Sequence, residues 1–120
     1  MRKFILLFLT FSLSSTVVAI ADEAITLVGE GARTCQRFLD DFDDDPSLAE
    51  DVYFAWSQGY LVGLNSRSDL FYDLRPGNLN AEAQSAFLMQ YCQKAPKVDF
   101  IEAVRKLYQQ IVMENIALGN

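Results

Sequence analysis

Residues 51–65 constrain the fold more than any other stretch. Written as a helix, the segment is apolar on nearly every side: Val52, Trp56, Gly59 and Gly63 share one face, Tyr53, Tyr60 and Leu64 a second, and Phe54 and Leu61 a third. A helix of this kind either crosses a membrane or lies at the centre of a core. Ser57 and Gln58 interrupt the run, which falls short of the roughly 20 residues a bilayer requires. It is therefore expected to be the buried central helix of a small domain. Ala55, Gly59 and Gly63 recur at four-residue spacing. An interior glycine costs about 1 kcal/mol relative to alanine. The pair is expected to let a neighbouring helix approach closely within one core, rather than to form the small-residue dimer seam met in membranes.

The N-terminus has the grammar of a secretory signal peptide. Arg2 and Lys3 precede an apolar run over 4–13, and small residues end at Ala19-Ile20-Ala21. Cleavage is expected after Ala21, with 22–120 folding as a single domain in the periplasm. No cysteine follows the apolar run closely, which argues against a lipoprotein anchor. Loss of Arg2 and Lys3 leaves eight basic residues against 16 acidic ones, a net charge of −8. Such a surface repels phosphate backbones and anionic lipid. The expected partner is a protein, with a basic effector suiting the charge, and no nucleic acid and no membrane after signal cleavage. Oligomeric state is not legible, and a dimer stays open.

Cys35 and Cys92 are the only cysteines, so an exported chain has one intramolecular pairing to make. A bridge between them contributes about 4 kcal/mol in the chain-entropy model. No CxxC motif is present, which leaves little basis for a redox role.

Along the chain, 22–31 carries no clear element. Cys35, Phe38, Leu39 and Phe42 predict an amphipathic helix from about residue 32. The acidic run over 40–46 ends it at Pro46. Asp41, Asp43 and Asp45 have the spacing of the first half of a calcium loop, but Pro46 stands where glycine is needed and Val52 where a bidentate glutamate is needed. The run is read as a solvated acidic loop, able to steer a basic partner. Ser47 and Glu50 form a capping box for the central helix, which is expected to stop near Asn65.

Residues 66–78 form the longest irregular stretch, with a turn at Pro76-Gly77. Two readings stand for it. Leu70, Phe71 and Leu74 fold back to cap the core, or the segment is a binding loop whose contacts are Phe71, Tyr72, Asp73 and Arg75, residue types frequent at interfaces. Asn80 reads as the cap of a third helix over 81–93, with Ala83, Phe87 and Tyr91 on one face and Leu88 and Cys92 beside it. Asp99 and Glu102 open a fourth helix whose stripe is Phe100, Val104, Leu107, Tyr108 and Ile111, with Glu102 and Lys106 paired on the solvent side. Gly119 stops it. The expectation is all-α: about four helices around a central apolar one, tied by one disulfide.

Histidine is absent from the sequence. That removes histidine-based acid–base chemistry, the usual nucleophilic triads and the commonest zinc ligand. Gly29 and Gly31 are too few for a phosphate-binding loop, and no GK[ST] follows. The carboxylates lie in acidic runs and cap positions, so a glycosidase-like pair has no support. No enzyme activity, catalytic residue, metal or cofactor is expected.

Thr34-Cys35 on a first helix, Trp56, Gly59, Tyr60 and Gly63 as W-x-x-G-Y-x-x-G on the second, Tyr91-Cys92 on a third, and Pro96 before the fourth make a recognisable set. Over about 34–108 the chain resembles the Tai/Rap-type periplasmic immunity proteins, which protect bacteria against type VI secretion effectors. It also looks like the HdeA-like acid-stress chaperones in size, compartment and cysteine count. The resemblance implies an all-helical fold with Cys35 bridged to Cys92, and names no contact residue. The leading expectation is an immunity or inhibitor protein that neutralises an effector by protein–protein contact. An acid-stress chaperone is the alternative. A small-molecule carrier ranks below both, for want of any positive feature.

Overall fold

The computed structural model describes residues 27–119, and the expected signal peptide and cleavage point lie outside them. Four helices follow one 3₁₀ turn at Glu30–Ala32: α1 (Cys35–Asp44), α2 (Pro46–Ser66), α3 (Ala81–Lys94) and α4 (Phe100–Leu118). The protein is all-helical, with Cys35 bonded to Cys92 and their Cα atoms 4.8 Å apart. No helix among the described residues is long and apolar enough to cross a membrane.

Local chemistry sets the helix ends. Thr34 caps α1 by accepting from the Arg37 amide at 3.2 Å. The next free amides of α1 are met from another part of the chain: Cys35 N–H donates to Val98 O and Gln36 N–H to Pro96 O, both at 2.8 Å. The α3–α4 connection thus completes the start of α1, beside the disulfide, and satisfies donors that a helix cannot satisfy itself. Asn80 caps α3 through the Ala83 amide at 2.9 Å. Two expected caps are corrected. Asp45, not Ser47, caps α2, accepting from Leu48 N–H at 3.1 Å with Pro46 in the first turn. This is the position where proline's fixed φ and missing N–H cost least. Asp99 precedes α4 without a side-chain cap bond. Glu102 pairs with Arg105 instead of Lys106, whose ammonium turns to Gln109.

The central element is α4, which packs on α1, α2, α3 and the 3₁₀ turn. It buries Phe100, Ile101, Ala103, Val104, Leu107, Ile111 and Asn115. Phe38, Tyr53 and Phe100 meet in an aromatic knot with ring centres 4.9–5.0 Å apart, the separation at which edge-on rings gain beyond simple burial.

The expectation for α2 fails in an informative way. It is an outer helix. Its buried residues are Ala49, Tyr53, Ser57, Leu61 and Asn65, a single row at four-residue spacing. Gly59 and Gly63 are exposed, and a Cβ added at either meets nothing within 4 Å. They admit no neighbour within this core. The close approach occurs elsewhere: a Cβ on Gly31 would lie 2.1 Å from the Trp56 ring, so only glycine lets the 3₁₀ turn lie against the indole. Trp56 stacks in turn on Tyr60, with ring centres 5.4 Å apart.

Candidate functional site

Leu61, Leu88 and Ile111 lie in the core rows of α2, α3 and α4, and each row ends in a polar side chain. Asn65 follows Leu61 by one turn, Gln84 precedes Leu88 by one turn, and Asn115 follows Ile111 by one turn. All three carboxamides are buried. Asn65 and Asn115 lie near the C-terminal ends of α2 and α4 and Gln84 in the first turn of α3, and all three grip the segment that links α2 to α3.

That grip takes three consecutive residues. Asn65 accepts from Tyr72 N–H at 3.1 Å and donates to Tyr72 O at 2.9 Å. Asn115 does the same to Asp73, at 3.1 and 2.9 Å. Gln84 donates from Nε2 to Leu74 O at 2.6 Å and to Leu79 O at 2.9 Å, and its own Oε1 accepts from Gln58 at 3.0 Å. Each side chain supplies the donor, and two supply the acceptor as well, that a strand would have obtained from a neighbouring strand. Among the described residues no buried side-chain polar atom lacks a partner. α2 ends at Ser66, near the expected stop, but Asn65 takes no left-handed capping conformation and serves the loop instead.

The rest of the loop is built to match. Asp73 Oδ1 accepts from Arg75 N–H at 2.9 Å, closing a tight side-chain turn. Pro76 is buried, and Leu79 N–H returns to Pro76 O at 2.9 Å. Gly77 takes a φ of 53°, with Glu114 and Leu118 of α4 close beside it.

The two sequence readings of this loop divide between its residues. Leu74 and Leu79 turn inward against the core. Leu70 and Phe71 do not: they are 64 % and 82 % exposed. Tyr72 is half-buried, and Asp73 and Arg75 are exposed. The four expected contact residues thus lie on one strap whose backbone is fixed at 72–74 and whose most apolar side chain points into solvent. Arg67, Asp69, Asp73 and Arg75 give the strap both signs of charge. Sequence reasoning missed Asn65, Gln84 and Asn115. The signal was present, as a polar residue at a core position in each of three apolar rows.

A second concave region, of about 310 Å³, lies between the 3₁₀ turn, α1 and the start of α2. Within it Asp41 accepts from the Tyr53 hydroxyl at 2.7 Å and pairs with Arg37 at 2.8 Å, while Arg33 pairs with Glu30 at 2.7 Å. The Tyr53 hydrogen bond, aided by the two arginines, holds the Asp41 carboxyl below the usual carboxylate range. Burial first, and the same bond second, push the Tyr53 phenol well above its ordinary value. A phenol in that state is neither base nor nucleophile at neutral pH. The network joins α1 to α2. Asp45, at the end of the acidic run, is occupied as the cap of α2.

Comparison with models of known protein families, with characterised proteins and with solved structures gives no match.

Proposed function

We propose that this chain is a periplasmic immunity or inhibitor protein that neutralises a secreted effector by direct contact, using the strap at 70–75 as its recognition edge. One observation carries the reading: Phe71 is 82 % exposed directly before a backbone segment, 72–74, that three buried carboxamides hold in place. An exposed phenylalanine on a free loop loses much of its binding energy to ordering, whereas one on a fixed backbone does not. Aromatic and arginine side chains at the centre of a contact also supply most of its energy. The acidic surface, with a net charge of −8 beyond the expected cleavage point, suits a basic effector and speeds encounter with it.

The test is inhibition of secreted cell-wall hydrolases, beginning with any encoded beside this gene, by the purified protein. The parent inhibits one of them stoichiometrically. Phe71→Ala and the pair Tyr72→Ala with Asp73→Ala weaken that inhibition by about tenfold or more without loss of helical signal. Equal inhibition by parent and variants would refute the strap as the contact.

An acid-stress chaperone is the second reading. It is favoured by exposed Leu48, Val52 and Val62 on α2, an apolar face of the kind that holds unfolded clients. Without histidine its switch lies in the carboxylate range. Failure to suppress aggregation of a client protein near pH 3 removes it.

A further inference from the structure

α2 and α3 each pack on α1 and α4, and an open groove of about 510 Å³ is left between them. Phe54, Ala55 and Ala81 give the groove its apolar lining, with Phe54 and Ala81 half-buried. Three carboxylates line it as well, those of Glu50, Asp51 and Glu82, and all three residues are exposed. One turn beyond Phe54, Gln58 donates to Gln84 at 3.0 Å and ties the two helices together, so the walls of the groove are held at a fixed spacing.

The groove has no positive charge of its own. No lysine or arginine lies on α2, and α3 carries only Lys94, its last residue. None of the three carboxylates makes an ion pair among the described residues. The cavity around Asp41 differs on this point, because there Glu30 and Asp41 are already paired with Arg33 and Arg37. The helix dipole accounts for Glu82, in the first turn of α3. It does not account for Glu50 and Asp51, which lie past the first turn of α2.

We propose that this groove is a docking site for an arginine side chain presented by a partner protein. The side chain matches the lining part by part. Its methylene stem suits Ala55 and Ala81. Its planar guanidinium gains from the face of an aromatic ring such as Phe54. Its fork of N–H donors meets carboxylates in the strongest class of hydrogen bond. A lysine ammonium is more tightly hydrated and gains less from the ring. A bare divalent cation uses neither the ring nor the alanines. The groove takes no residue from the strap at 70–75, and the proposal does not rest on the strap being the inhibitory edge.

Amide chemical-shift titration of the purified, oxidised protein tests it. The probe is an acetylated alanine peptide of about 12 residues with arginine at every fourth position, which puts the arginines on one helix face. Matched peptides carry lysine or glutamine instead. The expected result is that shifts concentrate at 54–55 and 81–82, with a Kd on the order of 100 µM. The lysine peptide binds more weakly and the glutamine peptide does not bind. Glu50→Gln with Glu82→Gln keeps the parent's helical signal and weakens arginine-peptide binding by about tenfold. Asp69→Asn with Asp99→Asn removes the same charge elsewhere and changes binding by less than about twofold. Phe54→Leu, which keeps an apolar side chain, removes the preference for arginine over lysine. Shifts spread over the whole acidic surface, equal weakening by the two charge-removing pairs, or equal binding of the glutamine peptide would overturn the site. Phe71→Ala is expected to bind the peptide as the parent does, so failure here leaves the strap reading standing, and the reverse holds.

Discussion

Asn65 and Asn115, on different helices, close matching pairs of hydrogen bonds on two adjacent backbone units, Tyr72 and Asp73. Each carboxamide takes both the N–H and the C=O of its residue. The ends of α2 and α4 therefore set the position of the strap, with Gln84 of α3 as a third support.

Asn115→Ala tests that arrangement. It strips Asp73 of both partners, and also removes a donor to Ile111 O. Leaving buried backbone groups unmet costs about 1–3 kcal/mol. The variant is expected to melt lower, to keep its helical circular dichroism, and to be cut faster by protease within 67–79. Unchanged protection of that segment would show that Asn115 does not hold it.

Phe71→Ala separates recognition from stability. The side chain is almost wholly in solvent, so the change is expected to move stability by no more than about 0.5 kcal/mol in chemical denaturation. Loss of effector inhibition in the same variant would then report on contact alone.

Glycines divide into two kinds. Gly31→Ala forces a methyl into the Trp56 ring, with backbone on one side and a packed indole on the other. It is expected to destabilise by about 1–3 kcal/mol. Gly63→Ala meets open space and is expected to stabilise by about 1 kcal/mol. Equilibrium denaturation at low protein concentration measures both, and a reversal of the two signs would contradict the packing described.

The acid limb of stability depends in part on Asp41. Its folded pKa lies below the unfolded value of 3.8, chiefly through the Tyr53 hydrogen bond. Its contribution is thus complete above the unfolded value and is lost as pH falls through the folded one. Tyr53→Phe is expected to be less stable than the parent at neutral pH, with the deficit shrinking below about pH 4. Denaturation curves at a series of pH values decide it. A deficit constant with pH would place the cost in packing instead.

Much of the framework was legible before the coordinates. Cys35 and Cys92 allowed one pairing, Asn80 announced α3, and the apolar spacing of α4 gave its buried face. Three things were not read correctly, each for a physical reason. Apolar composition placed α2 at the centre, because composition does not say which side of a helix is covered; α4 holds that position. The Ser47–Glu50 box drew attention from Asp45, although Pro46 is best tolerated directly after a cap. Counting only apolar side chains as core hid Asn65, Gln84 and Asn115, whose burial makes sense only once all three meet the same strap. That strap then split between the two readings held for it, with Leu74 inward and Phe71 outward.

Amide hydrogen exchange of the free protein tests the central claim most directly. The N–H groups of Tyr72 and Asp73 end on buried side-chain oxygens, so they are expected to exchange as slowly as amides in the middle of α4, although they lie in a loop. Exchange of both at the rate of an unprotected chain would mean that the carboxamides do not hold the strap, and that Phe71 is not presented on a fixed edge.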